Sequence, residues 1–157
     1  MSIQFKHREE TRVLMLHDSH TPPSVLRGVH VLRWAGRKLG LLEIGYHYVI
    51  DRDGHETETR PMALIGAASR RFNRTAIHIC LVGGLDEAGV PEDNFTHEQR
   101  VALFDRIRIL KGFYPGVSVM GHDEAERSLD HPCPPLDMAD LRQDYAAYVA
   151  TEGASEP

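Results

Sequence analysis

The sequence predicts one compact α/β domain, a mixed central β-sheet flanked by helices. Three observations carry this. Short β-branched and aliphatic runs alternate with segments of helical period. Turn signals separate them, one of which has the form of a hairpin. The chain's 157 residues, 41% hydrophobic and 26% charged, have the size and balance of a single globular domain. A chain of this length buries roughly two thirds of its unfolded surface and needs no disulfide staples.

Thr11 to Leu16 is β-branched and aliphatic and reads as a buried strand running into His17. Pro22 and Pro23 end it. Ser24 is the expected N-cap of a helix with Val25, Leu26, Val29, Leu32 and Trp34 on its apolar stripe, stopped at Gly40. Glu43 to Asp51 reads as a strand, Arg52-Asp53-Gly54 as a turn, and His55 to Thr59 as the returning partner. Ala76 to Val82 suits a central strand, closed by Gly83-Gly84 and followed by a polar loop over Asp86 to Asn94. Thr96 and Gln99 form a capping-box pattern before a long amphipathic helix carrying Val101, Leu103, Phe104, Ile107, Leu110 and Phe113. Val117 to Met120 is a short strand, and His122 to Pro135 a long irregular stretch of the kind that often carries function. Asp137 caps a last helix through Tyr148. The domain is expected over residues 1–150, with 151–157 as a disordered tail.

A formal net charge of −5 argues against a nucleic-acid binder with a broad basic face and against attraction to an anionic membrane. Two cysteines, Cys80 and Cys133, do not make a secreted disulfide framework. The N-terminus has an early acidic pair and no apolar run, so no signal peptide is expected. No stretch reaches the roughly 18 apolar residues of a membrane span.

The histidine count of ten is high. His17 at a strand end, His122 after the short strand and Cys133 beyond it offer nitrogen and sulfur donors that could converge at one end of a sheet. Zinc with three such ligands keeps a fourth position for water. Spacing alone leaves open the plainer reading of two ordinary histidines and a half-buried thiol.

Several ordered motifs decide between them. Leu14-Met15-Leu16-His17-Asp18-Ser19, then Ile44-Gly45-Tyr46-His47-Tyr48-Val49-Ile50 with Asp53-Gly54, then Ile79-Cys80-Leu81-Val82-Gly83-Gly84 come first. Asn94-Phe95-Thr96 with Gln99, Gly121-His122-Asp123, and Cys133-Pro134 with Asp137 follow. Together, from about Phe5 to Tyr148, they resemble the type-2 N-acetylmuramoyl-L-alanine amidases, the class shared by T7-type phage lysozymes and peptidoglycan recognition proteins (PGRPs).

The resemblance implies an amidase/PGRP-like fold and one Zn2+ per chain on His17, His122 and Cys133. It implies hydrolysis of the bond between the lactyl group of N-acetylmuramic acid and L-alanine of the stem peptide, with Tyr46 as the catalytic tyrosine. Many phage relatives have a lysine where His131 stands. His131 is therefore expected to stabilise the transition state, with a more acid-sensitive pH profile than a lysine would give. Relatives often have a substrate-holding histidine where Ala68 stands; Arg70 or Arg71 either replaces that contact by pairing with a peptide carboxylate or both are solvated loop arginines, and His20, near the ligand loop, is either a rim residue or one that supports a ligand from behind. The expected partner is bacterial peptidoglycan, met as a monomer without nucleic acid or membrane insertion. The expected setting is the host cytoplasm, with release to the wall by a separate membrane-permeabilising protein. Two alternatives remain: a peptidoglycan-binding protein without catalysis, which in this superfamily typically lacks the ligand cysteine, and a lysozyme that also regulates a phage RNA polymerase.

The other histidines are expected to be structural or superficial. Strand alternation puts His47 opposite Tyr46, His78 reaches either the cleft or solvent, and His7, His30, His55 and His97 lie on the surface. Cys80 is expected to be inert core.

Overall fold

The computed structural model describes residues 5–154. Strand β1 (Val13–Asp18) is followed by helix α1 (Val29–Lys38) and strands β2 (Tyr48–Ile50), β3 (Glu56–Glu58) and β4 (Ala76–Leu81). Helix α2 (His97–Phe113), strand β5 (Ser118–Gly121) and helices α3 (His122–Ala125) and α4 (Met138–Ala154) complete the chain. The strands form one sheet in the order β3-β2-β4-β1-β5. Only β2 and β3 pair antiparallel; β2–β4, β4–β1 and β1–β5 are parallel, so the sheet is mixed as expected.

Period-two alternation sorts the side chains. Leu14, Leu16, Ile77, Ile79 and Leu81 pack with Leu103, Phe104, Ile107 and Leu110 of α2 and Leu141 of α4 in the main core. On the other face Val49, Cys80 and Val82 pack against Val29 and Leu32 of α1. That second face also carries His17 and His78. Each fully buried Leu or Ile contributes roughly 1.5–3 kcal/mol, so the two helical layers fix the sheet, and the sheet fixes the ends of β1 and β5. No described helix is long and apolar enough to cross a membrane.

Four elements differ from the sequence expectation. Helix α1 starts at Val29 with Gly28, not Ser24, as N-cap. Pro22 accepts a turn bond from Val25, and the Gly28 N–H goes to the buried Asp51 carboxylate at 2.9 Å. A Cβ on Gly28 would stand 2.4 Å from Val82, so the chain crosses the sheet too closely for an earlier helix there. Leu26 and Trp34 are consequently exposed. Strand β2 is only three residues long; before it Gly45 passes against the Ala67 backbone, its carbonyl taking the Ala67 N–H at 3.0 Å. His122–Ala125, expected to be irregular, is a short helix. Helix α4 passes Tyr148 to reach Ala154, so Thr151 and Glu152 are helical rather than part of a tail. Residues 155–157 of the expected tail lie outside the described residues.

Gln99 ties the long helix to the sheet. The Thr96–Gln99 capping box is formed, and the buried Gln99 amide also donates to Ile50 O at 3.1 Å and Val82 O at 2.9 Å. Gln99→Leu keeps the volume but leaves Val82 O and the Thr96 N–H unpaired and takes from Ile50 O one of its two donors, the other being the Val82 N–H. Urea unfolding is expected to show a loss of about 2–4 kcal/mol; a loss below about 0.5 kcal/mol would mean that water satisfies all three groups.

Candidate metal centre

The register of β1 and β5 builds the site. Leu16 pairs with Gly121, so the next residues, His17 and His122, emerge side by side, with ring centroids 4.6 Å apart. His122 opens α3, which is anchored by Glu124: its carboxylate accepts from the Gly121 N–H and from Arg142 of α4. Cys133 returns from the loop beyond α3, and its carbonyl accepts the Asp123 N–H at 3.1 Å. Sγ of Cys133 lies 3.9 Å from Nδ1 of His17, and one donor atom from each of His17, His122 and Cys133 falls within 4.8 Å of the others. A tetrahedral ion with bonds of about 2.0–2.3 Å needs donors roughly 3.3–3.6 Å apart, so small side-chain movements would close the set.

The electrostatics fit a cation. Burial holds the His17 imidazole well below the usual histidine range, reinforced by His78 and His122, so its nitrogen keeps a lone pair. Burial, then the neighbouring Asp18, pushes the Cys133 thiol up. Burial likewise raises the Asp18 carboxyl, and Oδ1 of Asp18 is buried without a hydrogen-bond partner. Two acidic groups buried together call for positive charge between or beside them.

The other residues singled out by the sequence are placed unevenly. Tyr46 is half-buried with its ring 5.0 Å from that of His17, and burial holds its phenol well above the usual range, so it stays protonated. His131 is at the rim, hydrogen-bonded to the exposed Asp130 at 2.9 Å, with its ring 5.0 Å from that of His20. The His20 N–H in turn donates to Asp18 at 3.0 Å. Arg70 lines a groove of about 420 Å³ together with Leu41, Ala67, Ala68, His122 and Glu126. Arg71 is exposed beside that groove and meets Glu126 through its backbone N–H at 3.4 Å. A larger cavity of about 1000 Å³ between β5 and α4 contains none of these residues; the convergence of donors, not cavity size, marks the site.

Sequence reasoning missed two polar partners. Glu126 binds Nε2 of His122 at 3.1 Å and also holds the Ser69 hydroxyl. The His122–Glu126 spacing of four is a helical contact, readable only once α3 is known to be a helix. The second is His78, which is fully buried with Nδ1 2.9 Å from Nε2 of His17. His47 and Tyr46 do not alternate as expected, because the strand begins at Tyr48; both rings sit near the His17–His78 pair. Cys80 is buried core, as expected.

The buried rings set a pH dependence. Burial lowers His47 to about 4, whereas an unfolded histidine titrates near 6.5. Between these values the unfolded chain binds the extra proton, so stability falls as pH falls from about 6.5 to 4. His47 alone contributes about 3 kcal/mol over that window, and His17 and His78 act in the same direction. Urea midpoints of the metal-free protein measured from pH 7 to 4 are expected to drop accordingly; a level midpoint would contradict neutral burial of these rings.

The family described as N-acetylmuramoyl-L-alanine amidase matches residues 7–135. The endolysin of Enterobacteria phage K11 is 35% identical over 136 residues, which cover 87% of this chain and 88% of the relative. In fold, the chain is similar to the N-acetylmuramoyl-L-alanine amidase LysCS from Clostridium intestinale, with TM-score 0.75 and 18% identity over 90% of this chain and 88% of that one. Drosophila PGRP-LB shares the fold at TM-score 0.68 and 20% identity, over 83% of this chain and 79% of its own. The chain belongs to the N-acetylmuramoyl-L-alanine amidase family and is a hydrolase of the endolysin type.

Proposed function

We propose that the chain uses one zinc ion, held by His17, His122 and Cys133, to hydrolyse the amide between the lactyl group of N-acetylmuramic acid and L-alanine of the stem peptide. The observation that carries this reading is the approach of two imidazoles and one thiol, from three separate segments, to within 4.8 Å. Zinc there supplies a Lewis acid for the carbonyl and a water acidic enough to act near neutral pH.

The chain's own groups do the rest. The protonated Tyr46 phenol donates a hydrogen bond to the oxyanion that develops on the lactyl carbonyl. His131 lies across the rim to give a second donor to the same charge. Arg70, in the groove beside His122, pairs with a carboxylate of the stem peptide, with Arg71 and His20 at the margins. Addition of water across the amide leaves a muramic carboxylate and the L-alanine amine. Lysis of the host wall by a monomeric domain follows as the biological role, with a separate protein opening the membrane from the cytoplasmic side.

Digestion of peptidoglycan followed by mass spectrometry tests the bond. Stem peptides beginning with a free L-alanine amine are expected, and a chelator is expected to abolish their release. Cleaved glycosidic bonds, or full activity in metal-free protein, would overturn the proposal. Cys133→Ser is expected to lose bound zinc and at least about 100-fold in activity. Tyr46→Phe is expected to keep zinc and lose about 10²-fold in kcat. Turnover of His131→Ala within about twofold of the parent would remove His131 from the mechanism.

A further inference from the structure

His78 belongs neither to the donor set nor to the groove, yet its ring stands beside the centre, 5.0 Å from that of His17. It sits in the middle of β4, fully buried, on the sheet face that carries His17. Its Nδ1 lies 2.9 Å from Nε2 of His17. Behind it, the His78 backbone N–H donates to Nδ1 of His47 at 2.9 Å, and Nε2 of His47 lies 2.8 Å from the Leu64 carbonyl. A backbone N–H can only donate, so Nδ1 of His47 holds a lone pair and its proton sits on Nε2, given to Leu64. The His47 ring stacks on His78 at 9° between planes. Gly66 closes the cradle: a Cβ there would stand 2.5 Å from Cδ2 of His78 and 3.0 Å from Cε1 of His47.

The consequence falls on His17. Its Nδ1 faces Cys133 at 3.9 Å. An ion bound at that nitrogen needs its lone pair, so the imidazole proton must be on Nε2. Among the described residues, the acceptor placed to take it is Nδ1 of His78. We propose that His78 is a positioning residue of the metal centre: its Nδ1 accepts the Nε2–H of His17 and fixes the tautomer and ring orientation that present Nδ1 of His17 to the ion. This rests on the reading of His17 as a ligand. Metal-bound histidines more often give this proton to a carboxylate or carbonyl. Here a neutral imidazole takes it, which adds no further negative charge beside Asp18 and Cys133. The proton of His78 is then on Nε2, the buried nitrogen that has no protein partner.

Two measurements on the zinc-loaded protein test this. Nitrogen-15 histidine spectra of the parent are expected to show His17 protonated on Nε2 and His78 protonated on Nε2 but not on Nδ1. Zinc affinity, measured by competition with a chelating dye, is expected to weaken about 10–100-fold in His78→Phe, which fills the space but accepts nothing. His78→Asn, whose amide oxygen stands near the place of Nδ1, is expected to recover affinity to within about threefold of the parent. A purely structural role would not distinguish these variants in this way. Should His78→Phe fail to fold, as judged by thermal unfolding of the metal-free forms, the parent spectra and His78→Asn decide. A proton on Nδ1 of His78 in the loaded parent, or a folded His78→Phe with affinity within about threefold of the parent, overturns the role of His78 alone. A parent chain that takes up no zinc overturns the metal reading, and this inference with it.

Discussion

Everything at the centre depends on one pairing, Leu16 against Gly121 in the parallel contact of β1 with β5. One residue beyond that pair β5 has ended, and His17 of β1 and His122 emerge as neighbours. A slip of one residue would turn His17 to the other face of the sheet and the donor set would be lost. The slip is prevented from both sides of the sheet. Leu14 and Leu16 are locked into the main core with α2, while Val13 and Met15 pack with Ala76 and Met120 on the opposite face. The hydrophobic alternation of a six-residue strand thus sets which face His17 takes and that it stands beside His122.

The second constraint is the mutual burial of acids. Asp18 and Cys133 are both taken out of water beside one another. Gly84 permits this: a Cβ there would stand 2.1 Å from the Asp18 carboxylate, so the chain after β4 can close over the end of β1 only with glycine at that place. Without a cation these groups must remain protonated or bear the cost of buried charge. With a cation the cost becomes an attraction. His17 is more than a hundred residues from His122 and Cys133 in sequence, and the unfolded chain cannot hold the three together. A cation bound at this site would therefore add its binding free energy to folding.

What was legible in the sequence follows from which physics is local. The strand Ala76–Leu81, the capping box at Thr96 and the turn at Gly54 are written in neighbouring residues and were read correctly. The His17, His122 and Cys133 donor set was not legible from spacing and became so only through the order of several motifs. Ser24 looked like a helix cap, but the actual cap is set by Asp51, more than twenty residues away, taking the N–H of Gly28. His78 illustrates the same limit at the site. Within β4 it is one polar residue in an apolar run, and alternation says which face it shares but not what that face meets. Its partner is chosen by the β1–β4 register, where it stands opposite Met15, two residues before His17.

The division of labour around the centre is also physical. His17, His122 and Cys133 are held at strand ends, at a helix start and by a backbone bond, where positions are stiff. His20 and Arg70 are exposed and His131 half-buried, all on connecting segments with few tertiary bonds. A metal ligand displaced by an ångström is lost, whereas a group that meets a polymeric substrate gains from freedom to follow it. Glu126 bridges the two regimes. Its carboxylate holds Nε2 of His122 on one side and the Ser69 hydroxyl on the other, and Ser69 precedes Arg70 on the groove wall. The loop that carries Arg70 is thereby tied through one carboxylate to His122.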